Sequence, residues 1–502
     1  MSPLASGRLW IADGLLVTPT NHDVRVEYGS ILVEGSRIAH IAPRGSPAPP
    51  EAHVLDAAEM IVIPGLVNAH IHSHGVLSKW VVDTLPLEMW SPYVAAGRIG
   101  MTPEEARLAA LLAGIECLRS GVTTVLDHPV YDMTLFDAAA QAYLDLGIRA
   151  AMAPSVMDRP YFETIPQSQH AVPDDLKRSL WAKPQPSVQS LLDLTSHCIK
   201  RWQGVGDRLS ILIGPSAPQR CSTEMLTGLG QLACEYRVGL HTHLLETRAQ
   251  ALLARRLYGM PITTYLKKLG LLTRMVSVAH AVWVGDEEIR DLAESGTTVV
   301  HNPLSNLTLG SGIMPLLRLR EAGIRFALGT DSPNSGGHHA LFESMRLATA
   351  LPRALESDPD AWVSPEETFG YATLGGARAL GLEDRIGSIE IGKEADLVLL
   401  RRRSTSLTPL NHAIRQLVFC EVGDSVDTVL VGGRIIVRGR RLETVDEDAI
   451  LAEAQRAAEK LVARNHPNLE WARKQEVYTR AAHSATRELA KPEPLWLRRR
   501  LH

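Results

Sequence analysis

Ile61-Val62-Ile63-Pro64-Gly65-Leu66-Val67-Asn68-Ala69-His70-Ile71-His72 decides how the rest of the chain is read. An apolar, strand-forming run ends in His-x-His, and the period of two along a strand puts both imidazoles on one face. Two neutral imidazoles so placed make half of a zinc site, although the same pair also occurs on polar strand faces. His74 continues the alternation where the strand should already be turning into loop, and is expected to be a supporting or solvent-facing residue.

Toward the N-terminus, residues 8–14 and 30–41 form β-rich runs broken by turn residues, the second a hairpin turning at Glu34-Gly35-Ser36-Arg37. A similar hairpin spans residues 429–439, and residues 395–400 supply a strand before it. These pieces predict a small β-sandwich built from both chain ends, taking residues 1–64 and 391–446. Between them, residues 65–390 alternate differently. Short apolar runs at 123–126, 210–213, 276–279 and 325–328 resemble buried parallel strands. Helices opened by capping residues lie between, at Thr102-Pro103-Glu104-Glu105, Ser222-Thr223-Glu224 and Ser364-Pro365-Glu366-Glu367. The pattern predicts an α/β fold with a (β/α)8 TIM barrel. A doubly wound sheet competes, but no Gly-rich phosphate loop follows the first strand. Residues 447–502, charged and alanine-rich, predict a helical extension on the outside, with the basic stretch Arg498-Arg499-Arg500 on a solvated helix end.

The 502 residues, 45% of them hydrophobic, suffice for one large core and a smaller second domain. A net charge of −4 offers no basic excess for nucleic acid or an anionic membrane. Cys117, Cys198, Cys221, Cys234 and Cys420 are widely spaced without a C-x-x-C pair, which suits a reducing compartment and not a zinc ribbon. The first residues lack a signal-peptide pattern, and no apolar run approaches the length of a membrane span. A soluble cytoplasmic protein acting on a small molecule, without nucleic-acid or membrane partners, is expected.

Other strand ends repeat the chemistry. Gly239-Leu240-His241-Thr242-His243-Leu244-Leu245-Glu246 runs an apolar strand into a histidine, with a carboxylate three residues on. That spacing suits one metal ligand and one free carboxylate able to carry protons, against a bland alternative of a buried histidine and a surface acid. His280 closes an apolar run, His301 another, and Asp331 follows a third. Singly each would be structural. Together they present His-His, His with Glu, His, His and Asp at five strand ends, which a TIM barrel gathers at one mouth. His128, at a further strand end, either approaches that mouth or is structural.

The chain resembles the amidohydrolase superfamily, in the branch of mononuclear aminohydrolases that includes cytosine, guanine and S-adenosylhomocysteine deaminases and triazine hydrolases. The stretches that carry the resemblance are residues 64–72, 243–246, His280, residues 301–312, residues 329–331 and residues 386–398. It covers nearly the whole chain except the last fifty or so residues and the segment 158–190. The resemblance implies that His70, His72, His243 and Asp331 bind one divalent metal, zinc or else iron. It further implies that Glu246 shuttles protons and His280 orients the water. Binuclear members carry a carboxylated lysine on the fourth strand; residues 209–215 contain no lysine, which favours a single metal. The activity implied is replacement of an amino group on a heterocyclic or amidine-like carbon, the metal activating water and Asp331 taking its proton. A homodimer or larger homo-oligomer is implied as well.

The substrate is less defined. Trp90 matches a family position that lines the pocket, or is a core tryptophan. Where S-adenosylhomocysteine deaminases place a ribose-binding acid, Arg98 and Ile99 stand; where they carry a histidine, Ser216 stands. Both departures weigh against an adenosine nucleoside. Gln219 and Asn302 are candidate substrate contacts, and Asn306 is expected to tie its loop by hydrogen bonds. A dehalogenating or amide-cleaving relative would use the same site. A barrel scaffold that has lost catalysis is the reading from a different class; it would be expected to have lost ligands that this chain keeps.

Overall fold

The hairpin expected at residues 30–41 is present: β2 (Val24–Glu34) and β3 (Arg37–Pro43) pair antiparallel with Glu34 opposite Arg37. The computed structural model describes residues 7–20, 23–165 and 186–488. The Arg498-Arg499-Arg500 stretch and most of the segment 158–190 lie outside the described residues. β1 (Arg8–Pro19) lies between β2 and two parallel partners, β4 (His53–Asp56) and β5 (Met60–Pro64).

β5 then pairs antiparallel with a strand from the far end of the chain, β14 (Leu397–Arg401). From there β15 (Val426–Val431), β16 (Arg434–Arg438) and β17 (Arg441–Leu442) continue the same sheet. Both ends of the chain therefore meet, but their hydrogen bonds join them into one nine-stranded sheet among the described residues. Leu9, Ile31, Val62, Leu397 and Leu430 pack together in its core.

The middle of the chain contributes two four-stranded parallel sheets. The first is β6 (Leu66–Ile71), β7 (Val122–Asp127), β8 (Arg149–Met152) and β9 (Leu209–Ile211). The second is β10 (Leu240–Leu244), β11 (Val276–His280), β12 (Thr298–His301) and β13 (Arg325–Leu328). Parallel bridges link the two at Ile213–Leu240 and at Ile71–Asp331. One buried cluster holds Val67, Leu126, Ala151, Leu212, Val300 and Ala327, drawn from both sheets. β6, β7, β8, β11 and β12 are buried along their whole length, as strands covered on both faces must be.

Helices begin where their caps predict. Thr102 and Ser364 each close a capping box with the glutamate three residues on, and Ser222 accepts from the Met225 amide at 3.1 Å. Each such cap stabilises its helix by about 1 kcal/mol. At the C-terminal side a single helix runs Glu447–Glu488. It docks along the helix Leu87–Gly97: Tyr93 donates to Glu476 at 2.7 Å and Asn465 to the Gly97 carbonyl at 3.1 Å. Among the described residues, no helix is long and apolar enough to cross a membrane.

Candidate metal centre

β6 carries His70 and leads directly into His72, β10 carries His243, β11 ends on His280, and Asp331 follows β13. Four elements so deliver their last polar side chains to one place. Nε2 of His70 and of His72 stand 3.4 and 3.3 Å from Oδ1 of Asp331. His72 Nε2 is 3.1 Å from His243 Nε2. His280 Nε2 lies 3.9 Å from Asp331 Oδ2 and 3.7 Å from Glu246 Oε2.

Hydrogen bonds on the far side of each ring fix what these atoms present. His72 Nδ1 donates to the His128 carbonyl at 2.8 Å and His243 Nδ1 to the Ser216 carbonyl at 2.5 Å. A carbonyl cannot donate, so both Nδ1 atoms carry a proton, and the two Nε2 atoms are turned toward each other. Burial, with His70 and His72 nearby, holds His243 well below the usual histidine range, so His243 presents Nε2 as a lone pair. A lone pair on His72 Nε2, 3.1 Å away, would be repelled unless a cation lay between them. His70 Nε2 is buried without any protein partner, and burial lowers this histidine to about 4. Neutral imidazoles and a carboxylate are the donor set that zinc or iron takes, and the residues fit it.

Asp331 is fixed as firmly. Ser332 N donates to Oδ1 at 2.8 Å and Ser305 Oγ to Oδ2 at 2.6 Å. Burial works to raise its carboxyl, but the adjacent His70 and the neighbouring His72 and His280 imidazoles overcome it and hold Asp331 well below the carboxylate range. Its backbone sits at φ 65°, and Leu245, His280 and Ala281 also have positive φ. Non-glycine residues in that region cost about 1–3 kcal/mol each, and such strain concentrates at functional sites. Just before Asp331, a Cβ on Gly329 would come within 2.3 Å of Asn302 Oδ1 and 2.8 Å of His70 Cβ. Only glycine lets β13 approach His70 so closely.

Glu246 is buried, with Oε1 free of any protein partner. Burial pushes its carboxyl up to about 7; His280 opposes the shift and Asp331 adds to it. A carboxyl near neutrality can both give and take a proton. Glu246, Asp331, His72 and His243 line a cleft enclosing about 1120 Å³, open solvent at its mouth included.

The Amidohydrolase family pattern matches residues 61–436. The chain belongs to the amidohydrolase family. The 5-methylthioadenosine/S-adenosylhomocysteine deaminase of Desulforudis audaxviator is 36% identical over 438 residues, which are 86% of this chain and 95% of that one. Among solved structures, a zinc-bound adenosine deaminase from Xanthomonas campestris superposes with a TM-score of 0.78 at 29% identity, covering 91% of this chain and 98% of that one. An atrazine chlorohydrolase from Arthrobacter aurescens, complexed with zinc, gives 0.81 at 25% identity, covering 90% and 100%. The family implies a TIM-barrel-type α/β fold, and the chain is a hydrolase of non-peptide carbon–nitrogen bonds.

The remaining residues singled out in the sequence divide. Trp90 lines the cleft. His74 does too, and is buried with Nδ1 unpartnered where a supporting or solvent-facing position is expected. Gln219 and Asn302 are buried but are not among the residues lining the cleft; Asn302 Nδ2 donates to the Val300 carbonyl at 3.4 Å. His128 gives Nδ1–H to the Ala153 carbonyl at 2.9 Å, and its ring centre is 5.2 Å from that of His243. His301 is buried and lowered to about 3 by that burial. Asn306 ties its loop through backbone bonds with Asn302 and Ser311, and its Oδ1 also holds His280 Nδ1 at 2.9 Å.

Sequence reasoning missed His241. Its Nε2 meets His70 Nδ1 at 2.8 Å and its Nδ1 meets Ser277 Oγ at 2.8 Å, so it sets the orientation of a proposed ligand. His241 shares its strand face with His243, and the alternation used for His70 and His72 could have flagged it. Asp127, which accepts from the Ser73 amide at 3.0 Å and from Tyr143 at 2.8 Å, anchors the turn after His72 without any motif to announce it.

Proposed function

We propose that this protein is a metal-dependent hydrolytic deaminase that replaces an amino group on a small nitrogen heterocycle, or an amidine-like carbon, and releases ammonia. The observation that carries the reading is the pairing of two environments at one centre. His70 and His72 Nε2 stand 3.4 and 3.3 Å from Asp331 Oδ1, with His243 Nε2 3.1 Å from His72 Nε2. Beside them the buried Glu246 carboxyl, raised toward neutrality by burial, stands 3.7 Å from His280 Nε2.

His70, His72, His243 and Asp331 would hold the metal, zinc in preference to iron. When bound, the metal would supply Lewis acidity and make water nucleophilic at neutral pH. Asp331, with Oδ2 toward His280, would serve as the acceptor for a proton of the attacking water. Asn306 accepts from His280 Nδ1, which leaves Nε2 as the acceptor that orients the attacking water. Glu246 Oε1 holds the proton that passes to the substrate nitrogen, so that nitrogen leaves neutral. Trp90 supplies an aromatic wall for a flat ring. Gln219 and Asn302 remain weaker candidates as substrate contacts.

The bridges at Ile213–Leu240 and Ile71–Asp331, with the cluster shared by both parallel sheets, support a closed eight-stranded barrel over residues 65–390. Residues 1–64 and 391–446 would then form the β-domain and 447–502 the helical extension. A cytoplasmic homodimer or larger homo-oligomer completes the reading; five free cysteines support a reducing compartment, and the family resemblance supports the assembly.

An ammonia-release screen over amino-substituted purines, pyrimidines, pterins and triazines, run beside metal analysis, tests the proposal. Stoichiometric metal with no ammonia from any compound would sink it. The likeness to the atrazine chlorohydrolase favours one second reading, a dehalogenating or amide-cleaving use of the site, which chloride or carboxylate release would reveal. A catalytically silent scaffold would hold no metal and be indifferent to Glu246→Gln.

A further inference from the structure

The cleft contains cationic side chains to which the deamination chemistry gives no direct role. Arg98 and Arg220 both line it, and among the described residues neither lies within ion-pair distance of a carboxylate. Arg149, by contrast, makes a two-pronged pair with Asp396 at 2.8 and 3.0 Å. Arg98 instead gives Nη1–H to the Val130 carbonyl at 2.7 Å, and Arg220 has its guanidinium carbon 5.9 Å from the Tyr161 ring centre.

The nearby acids are engaged otherwise. Glu88 accepts from Thr247 at 2.5 Å and faces His483 at 3.6 Å, and Asp158 accepts from the Ser222 amide at 2.7 Å. Glu246 faces His280, the Arg220 charge acting on it more weakly than His280 does. Burial, aided by the Arg220 charge, lowers the Arg98 guanidinium to about 10. Three more polar groups line the cleft, each more than nine-tenths buried and without a partner: Ser155 Oγ, His74 Nδ1 and Trp90 Nε1. Two partly buried guanidinium groups of like charge, with no carboxylate within ion-pair distance among the described residues, favour an anion beside them. The planar guanidinium fork matches carboxylate and phosphate oxygens in pairs.

We infer that Arg98 and Arg220 form an anion subsite in this cleft, receiving a carboxylate or phosphate that the substrate carries apart from its departing amino group. The inference rests on the deaminase reading for what the rest of the substrate is. It narrows the substrate class to amino-heterocycles bearing a negative charge.

Calorimetric titration of the holoenzyme with two matched pairs tests it: pterin against pterin-6-carboxylate, and adenosine against adenosine 5′-monophosphate. The anionic member of one pair is expected to bind at least about tenfold more tightly, the pair itself telling carboxylate from phosphate. In Arg220→Gln that preference should fall to within about threefold. Arg98→Lys, which keeps the charge if Arg98→Gln fails to fold, should reduce it less. Equal or weaker binding of both anions, no binding by any of the four, or a preference that survives both substitutions overturns the subsite. Ammonia release is followed in parallel. An anion that binds through the arginines but yields no ammonia counts against the deaminase reading and leaves the subsite standing; ammonia without any anionic preference does the reverse.

Discussion

Glu246 and His241 show how differently two buried groups can serve one centre. Glu246 has nothing to bind in the protein at Oε1, so its free energy of burial is left for a proton and a substrate. Glu246→Gln is expected to lower kcat by about 10²–10⁴-fold with metal content intact, the usual scale for a lost general acid–base group. Steady-state rates beside elemental analysis check this, and a variant within a few-fold of the parent would remove Glu246 from the mechanism. His241 acts one shell out, through the 2.8 Å contact with His70 Nδ1. His241→Ala is expected to weaken metal affinity about 10–100-fold, read by competition with a chromogenic chelator. Among the proposed ligands, His70, His72 and His243 stand out in short alternating motifs, whereas Asp331 joins them only through the family resemblance. What His241 orients was not legible, because β6 and β10 meet across the site and sequence spacing says nothing about that.

At the scale of elements, hairpins and helix starts were legible for the same reason: Glu34 opposite Arg37, and the Thr102 and Ser364 boxes, are short-range devices. The docking of the helix Glu447–Glu488 was not, since its partners lie hundreds of residues earlier. That docking concerns the site directly. The helix Leu87–Gly97 presents Trp90 to the cleft while Asn465 holds its last carbonyl from behind. Asn465 is fully buried and also donates to the Leu461 carbonyl. Asn465→Ala is expected to cost about 1–3 kcal/mol, because buried acceptors lose their donor. Chemical denaturation measures the loss; an unchanged midpoint would show that the two helices hold together without it. Arg98 and Arg220 belong to this scale too, as charges on separate segments that only the fold brings to one cleft.

Across the whole molecule, the concentration of neutral imidazoles sets a limit on acid tolerance. Burial holds His74, His128, His241 and His243 well below 6.5, His70 at about 4 and His301 at about 3. Histidines lowered in the folded state take up fewer protons than they do unfolded. Their contribution to stability is thus present above 6.5 and is lost as pH falls through that value toward 4. The metal-free protein should therefore melt at progressively lower temperature from pH 7.5 to 5, with a slope corresponding to more than one proton. A melting temperature that stays flat over that window would contradict the assignment.

The seam between β5 and β14 has a consequence for how the protein comes into being. β5 is held by β1 on one side and β14 on the other, with Ile61, Val62 and Ile63 wholly buried. Until residues 397–401 leave the ribosome, that apolar strand has an open edge next to the segment bearing His70 and His72. At roughly 5–20 residues per second the wait is on the order of 20–60 s. Unpaired apolar edges invite pairing with other chains. That edge closes only when β14 pairs with β5, so the strand leading to His70 and His72 gains its second neighbour late in synthesis.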